Sequence, residues 1–306
     1  MRWESSGRPA GIVQISHGLG EHMGRYIGTA ESLVAAGLVV YGHDYRGHGR
    51  TALSQESFGD FGPGGFDLQV EDVVRLSRIA RCEQPGIPLI LLGHSMGSFA
   101  AQQYVQDHSD LIDGLALSGS GILDGLGRLA HARNRTPAEV VNAAFGPART
   151  PADWLSRDPA VVDRYLSDPL CFGWLQPAAN ESFFSSAPRL ADPARLREIR
   201  HDLPIYVFSC GQDPVGQQLK GVSALIGRYR QAGIWNVSYD FYPAGGTRCS
   251  TKLTGMRSAR ICFGGFGAFS RQTPAANSAC ASSVCRRSKG SRGHGRIRSP
   301  RFPTPA

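Results

Sequence analysis

No acidic residue follows Asp240. All 25 Asp and Glu lie at or before that position, whereas residues 241–306 carry 12 Lys and Arg. The formal net charge of +8 therefore belongs to the tail. Removing those 12 from the 33 Lys and Arg of the chain leaves 21 basic against 25 acidic groups, a net of −4 for the first 240 residues. So sharp a break in composition marks a boundary rather than a basic folded domain. The chain also lacks any run apolar enough to span a bilayer, which argues against an integral membrane protein. Met1 to Gly11 is polar and has no apolar h-region, so no secretory signal is expected and the cytoplasm is the default location. The seven cysteines are irregularly spaced and give no metal or disulfide signature. Cys82, Cys171 and Cys210 read as small core or surface residues, and the other four fall in the basic tail.

What is present is an alternation of short apolar runs with helical patterns. Gly11 to Ile15 predicts a strand, Tyr26 to Ala36 a helix with Gly37 at its end, and Leu38 to Gly42 a buried strand. Phe66 to Arg81 has the spacing of an amphipathic helix. The run from Pro88 to Leu92 predicts a strand, Ser98 to Val105 a helix and Ile112 to Leu117 another strand. The rhythm stops from about Gly121 to Asp202, a stretch with scattered prolines and with Trp154, Tyr165, Phe172, Trp174, Phe183 and Phe184. That is too long for a structureless loop, so a helical insertion is expected. Its aromatics serve either as the lining of a pocket or as the insertion's own core. The rhythm resumes with a strand from Leu203 to Ser209, a helix from Gly216 to Ala232 and a strand from Val237 to Phe241. The fold class is α/β, a mainly parallel sheet with helices on both faces. The expected divisions are core at 1–120, insertion at 121–202, core again at 203–246 and a basic tail at 247–306.

Gly93-His94-Ser95-Met96-Gly97 stands between a predicted strand and a predicted helix. G-x-S-x-G in that setting is a nucleophile elbow, a turn too tight for Cβ atoms beside a serine whose Oγ is presented above the sheet. Together with His17-Gly18-Leu19-Gly20-Glu21-His22, Asp44 to Gly49 and Asp213-Pro214-Val215-Gly216, it resembles the monoacylglycerol lipase and lysophospholipase group of α/β-hydrolases, over about Arg2 to Pro243. The resemblance implies that Ser95 is the nucleophile and that Asp213 is the acid orienting a catalytic histidine. It also implies that the N–H groups of Leu19 and Met96 form the oxyanion hole. For Asp213 the competing reading is a helix N-cap before Pro214. His17 and His22 read as structural hydrogen-bonding groups without metal partners, His94 as a packing residue, and Asp44 with Arg46 as a loop-bracing pair. No metal or organic cofactor is implied. The resemblance further places a β-hairpin ahead of Arg2-Trp3-Glu4, so that either an edge hairpin is missing or the start site is misplaced.

The group's catalytic histidine is expected shortly after the last strand, in a motif like Arg-His-Glu-Met-Leu-Asn-Glu. Here Phe241-Tyr242-Pro243 is followed by Ala244-Gly245-Gly246-Thr247-Arg248-Cys249-Ser250, and no histidine occurs before His294. The codons tell more. The third base of Gly246 with the first two of Thr247 gives NAC, which admits histidine. The same shift over the neighbouring pairs admits Arg-His-Glu-Met-Leu-Asn-Glu-Thr without a break. The expectation is a reading frame that slips near Ala244 to Gly246, with an out-of-frame tail where the last helix would be.

The function expected is a serine hydrolase scaffold acting on carboxylic esters, monoacylglycerols or lysophospholipids, and impaired by the missing histidine. Its partner is a small ester or lipid, with peripheral membrane contact as an open reading; no oligomeric state is implied. Haloperoxidase and peptidase chemistry share the triad and stay open. So does a non-catalytic protein that holds lipid, or one that uses its basic tail on a membrane or nucleic acid. The last is disfavoured by the absence of a nucleic-acid motif.

Overall fold

The computed structural model describes residues 1–4, 6–132, 137–143 and 148–242. The expected tail at 247–306, the replaced last helix and His294 lie outside them. Among the described residues, seven strands form one sheet: β1 (Arg2–Trp3), β2 (Gly11–Ser16), β3 (Leu38–Gly42), β4 (Leu89–His94), β5 (Gly114–Ser118), β6 (Ile205–Cys210) and β7 (Val237–Tyr242). Their spatial order is β1-β3-β2-β4-β5-β6-β7. Only the β1–β3 pair is antiparallel. The five strands β2 to β6 are buried along their whole length, as their unbroken apolar runs require of strands covered on both faces.

One face is covered by α2 (Gly65–Glu83), α3 (Met96–His108) and, beyond the insertion, α10 (Lys220–Gln231). Helix α2 buries Phe66, Val70, Val73, Val74, Ser77 and Ala80, the i, i+3, i+4, i+7 stripe of a one-sided helix. Each fully buried valine contributes roughly 1.5–3 kcal/mol before entropy is counted. Gln14 lies fully buried on β2, yet its amide donates to the Val73 carbonyl (2.8 Å) and accepts from Ser77 Oγ (2.7 Å), so its burial leaves no orphaned group. On the opposite face α1 (Ile27–Ala35) packs Ala30 and Leu33 against Val13, Ile15 and Val40. Gly37 follows α1 at φ +85°, a left-handed stop that suits glycine.

Among the described residues, six short helices run between β5 and β6: α4 (Leu123–Ala132), α5 (Pro137–Ala143), α6 (Pro159–Leu166), α7 (Pro177–Ser185), α8 (Ala187–Ala191) and α9 (Pro193–Arg197). Proline in the first turn suits α6, α7 and α9, where the missing N–H would have no acceptor anyway. Asp158 and Asp192 cap α6 and α9 by accepting N–H groups two residues on. The insertion is fastened to the sheet's helices by Asp124, which takes a two-pronged bond from Arg228 of α10 (2.8 and 2.7 Å) and another from Arg128. Burial alone would raise the Asp124 carboxyl, but these two guanidinium groups outweigh it and bring it to about 2. The expected helix from Gly216 begins only at Lys220, because Gln217, Gln218 and Leu219 take left-handed backbone angles that no helix continues.

Candidate active site

The turn between β4 and α3 carries Ser95 at φ 51°, ψ −120°. A side chain held there is strained, and the neighbouring residues show why it stays. The Ser95 N–H donates to the Ser118 carbonyl at the end of β5 (2.9 Å), and its carbonyl accepts from Ser98 N (2.8 Å) and Ser98 Oγ (2.6 Å). Ser98 Oγ also shares a hydrogen bond with Ser120 Oγ (2.8 Å), which accepts from the Gln102 amide (3.0 Å). This buried polar chain ties the first turns of α3 to the loop after β5. The two flanking glycines are steric necessities. A Cβ on Gly93 would stand 2.5 Å from the Gly97 carbonyl oxygen, and one on Gly97 2.2 Å from that of Ser16. Ser95 is half-buried and lines an apolar pocket.

Leu19 and Met96 line the same pocket, with Trp154, Trp174, Phe183 and Phe184 from the insertion. The cavity left between them is small, about 30 Å³. Met96 is the first residue of α3, so its N–H is one of the donors a helix leaves without an acceptor of its own. Leu19 sits in the loop after β2, and Gly18 is so close to the elbow that its Cβ would touch Ser95 Cβ at 3.3 Å. Phe183 lines the pocket and also packs edge-on against Phe66 and Phe99, so the insertion's aromatics serve both as pocket wall and as core.

Asp213 lies in the loop after β6 and is fully buried. Its Oδ1 accepts the Val215 N–H (2.9 Å), and Val215 lines the pocket beside Ser95. The N-cap reading of Asp213 is corrected: α10 starts seven residues later, and the carboxylate braces its own turn instead.

Four other residues singled out in the sequence support loops. His17 is buried, donates from Nδ1 to the Gly18 carbonyl (2.8 Å) and accepts the Tyr45 N–H at Nε2 (3.0 Å). Burial lowers its pKa despite the nearby Glu21, so the ring is neutral, as one donating and one accepting nitrogen require. His94 shares a hydrogen bond between Nδ1 and Ser118 Oγ (3.2 Å). Asp44 and Arg46 do not pair with each other. Asp44 accepts the Met23 and Arg50 N–H groups (2.7 and 3.0 Å), which outweigh burial and hold its carboxyl low. Arg46 pairs with Asp72 at 2.6 Å.

Sequence reading gave Glu21 no role. Its Oε1 accepts the Gly18 N–H (2.8 Å) and the Tyr26 hydroxyl, which fixes the start of the Leu19 loop. It was visible only as a letter in the motif, since a carboxylate folding back three residues has no periodicity to betray it.

Residues 7–245 match the family described as serine aminopeptidase, S33. A monoacylglycerol lipase of Mycolicibacterium smegmatis is 34% identical over 170 residues, 55% of this chain and 59% of the relative. A monoglyceride lipase of Homo sapiens is 31% identical over 189 residues, 56% and 58% of the two chains. The chain thus spans less than two thirds of these relatives. Among solved structures, a thermostable carboxyl esterase from Bacillus coagulans superposes with a TM-score of 0.76 at 27% identity, over 87% of this chain and 92% of that one. A soluble variant of the monoglyceride lipase of Saccharomyces cerevisiae gives a TM-score of 0.64 at 19% identity, over 86% and 89%, which supports the fold alone. No helix among the described residues is long and apolar enough to cross a membrane. A strained strand-to-helix turn at Ser95, in a sheet of this order, and a family match across nearly all the described residues lead to one conclusion: the chain belongs to the serine aminopeptidase S33 family of α/β-hydrolases.

Proposed function

We propose that this chain is a serine hydrolase scaffold for carboxylic esters, of the monoacylglycerol or lysophospholipid kind, working through an acyl-enzyme. The observation that carries the reading is the backbone of Ser95, held at φ 51°, ψ −120° in the lining of an apolar pocket. Strain of this kind persists where function uses it. Ser95 Oγ attacks the ester carbonyl, and the N–H groups of Leu19 and Met96 take the developing oxyanion. Asp213 orients the base that accepts the serine proton and stabilises it once charged. The acyl chain lies against Trp154, Trp174, Phe183 and Phe184. The pocket's small free volume means that these side chains part to admit it.

The base is the defect. The segment expected to supply it begins after Pro243, outside the described residues, and its sequence carries no histidine before His294. We propose that the frame slips near Ala244 to Gly246 and that turnover is reduced by about 10⁴ to 10⁶ relative to an intact triad.

A fluorophosphonate probe with mass spectrometry, run beside monoacylglycerol and p-nitrophenyl ester assays, tests both halves. Slow labelling on Ser95, lost in Ser95→Ala, with weak turnover is the expected result. Labelling or hydrolysis indifferent to Ser95→Ala would refute the nucleophile. Brisk hydrolysis abolished by Ser95→Ala would refute the impairment.

A further inference from the structure

We infer that His22, Asp168 and Cys171 form a zinc site where the insertion meets the Leu19 loop. No sequence spacing links His22 to the Asp168–Cys171 turn, and the fold brings them together. His22 is buried and caps the short turn Met23–Tyr26, its Nδ1 accepting the Gly24 N–H at 3.2 Å. This directs the other ring nitrogen outward, and Nε2 lies 2.9 Å from Asp168 Oδ2. Asp168 begins a tight turn: its carbonyl accepts the Cys171 N–H (3.0 Å) and its Oδ1 the Leu170 N–H (3.0 Å). The turn sets the Asp168 carboxylate and the Cys171 sulfur on the side that faces the imidazole. One ligand atom from each of the three residues lies within 4.8 Å of the other two.

The donor set names the ion. One imidazole nitrogen, one carboxylate oxygen and one sulfur suit zinc, whereas calcium and magnesium call for oxygen throughout. Zinc–ligand bonds of about 2.0 to 2.3 Å place the atoms of a tetrahedral set roughly 3.3–3.7 Å apart. The His22–Asp168 pair opens by several tenths of an ångström to reach that span, and the widest separation closes by about one, both within the reach of side-chain torsions. Binding through Nε2 moves the imidazole proton to Nδ1 and gives up the long Gly24 hydrogen bond in exchange for a metal bond. Zn²⁺ with one carboxylate and one thiolate is a neutral assembly, and it keeps a fourth position for water.

The location gives the site a consequence. The neighbour of Cys171, Phe172, donates its N–H to the Gly20 carbonyl at 3.0 Å. Zinc here would act as a second clasp between the insertion and the loop that carries Leu19. The inference stands whether or not the protein hydrolyses esters.

The test uses the full chain, freed of metal by a chelator and titrated with zinc against a chromophoric competitor. Because the tail adds Cys249, Cys262, Cys280, Cys285 and His294, the variants decide. His22→Gln, Asp168→Asn and Cys171→Ser should each weaken the tightest zinc by more than about tenfold. Cobalt substitution should give a sulfur-to-metal charge-transfer band that Cys171→Ser removes. Cys171 is half-buried, and its conservative serine variant tests the site even if His22→Gln fails to fold. No tight zinc in the unaltered chain, or zinc affinity and a cobalt band unchanged in Cys171→Ser and Asp168→Asn, overturns the proposal.

Discussion

The Phe172 N–H donates to the Gly20 carbonyl at 3.0 Å, so the insertion is hydrogen-bonded through its main chain to the loop that carries Leu19. The approach is close enough that Gly20, at φ +67°, has no room for a side chain: a Cβ would stand 2.0 Å from the Phe172 carbonyl oxygen. The insertion and the proposed oxyanion loop are therefore in direct main-chain contact.

Gly20→Ala should separate them. The alanine both strains a left-handed residue and pushes Phe172 away, at a cost of about 1–3 kcal/mol. Hydrogen exchange should rise over the segment from Asp168 to Trp174 while the strands of the sheet stay protected. Unchanged exchange in that segment would show the junction to be slack.

Gly97 and Gly227 are expected to answer the same substitution with opposite signs. At Gly97 the new Cβ meets main-chain oxygens of Ser16 and His17 at 2.2 and 2.5 Å, and neither can swing aside. Gly97→Ala should lose about 2–4 kcal/mol in urea unfolding. Gly227 sits inside α10 with nothing within 4 Å of its Cβ position, so Gly227→Ala should gain about 0.5–1 kcal/mol from helix propensity. A loss at Gly227 would mean that the helix is more crowded than its geometry indicates.

Opening the shifted frame after Gly245, so that the chain continues Arg-His-Glu-Met-Leu-Asn-Glu-Thr, should raise kcat/KM on a monoacylglycerol by about 10³-fold or more. The gain should vanish when Ser95→Ala or Asp213→Asn is added. A restored segment that leaves turnover unchanged would break the link between the missing histidine and the impairment.

Acid should unfold the protein early, and histidines are part of the reason. Burial pushes His43 down to about 4 and His48 to about 3, and it lowers His17 as well. Below about pH 6.5 the unfolded chain takes up protons that the folded chain refuses. The stabilisation is complete above that pH and is lost as pH falls towards 4 and 3, each histidine adding a slope of up to about 1.4 kcal/mol per unit. The ring nitrogens of His43 have no hydrogen-bond partner among the described residues. His43→Gln should therefore flatten the slope by about one histidine's share, measured by urea titrations from pH 7.5 to 4.5. An unaltered slope would count against this account.

The sheet and the tight turn at Ser95 could be read from sequence because both are written locally. An apolar run of five or six residues has only a doubly covered strand to go to in this pattern, and β2 to β6 were found within two residues of where those runs fall. Ser95, Met96 and Leu19 belong to glycine-bearing turns, which are visible as motifs in the sequence. The late start of α10 was hidden because Gln217, Gln218 and Leu219 carry no glycine to announce left-handed angles. The insertion's helices did leave a mark, the Asp-Pro pairs at Asp158 and Asp192, although scattered prolines read at first as interruption. What no local pattern holds is the meeting of distant loops: Gly20 with Phe172, His22 with Asp168, Asp124 with Arg228.

Ser95 also bears on the stability of the whole molecule. Its backbone angles suit a residue without a Cβ, and everything around the turn is arranged to enforce them. Ser95→Gly should therefore melt higher than the unaltered chain, by the few degrees that about 1 kcal/mol gives in a protein of this size. The position most committed to reactivity is then the one at which the fold is least relaxed, and its tension is present whether or not a base stands ready to use it.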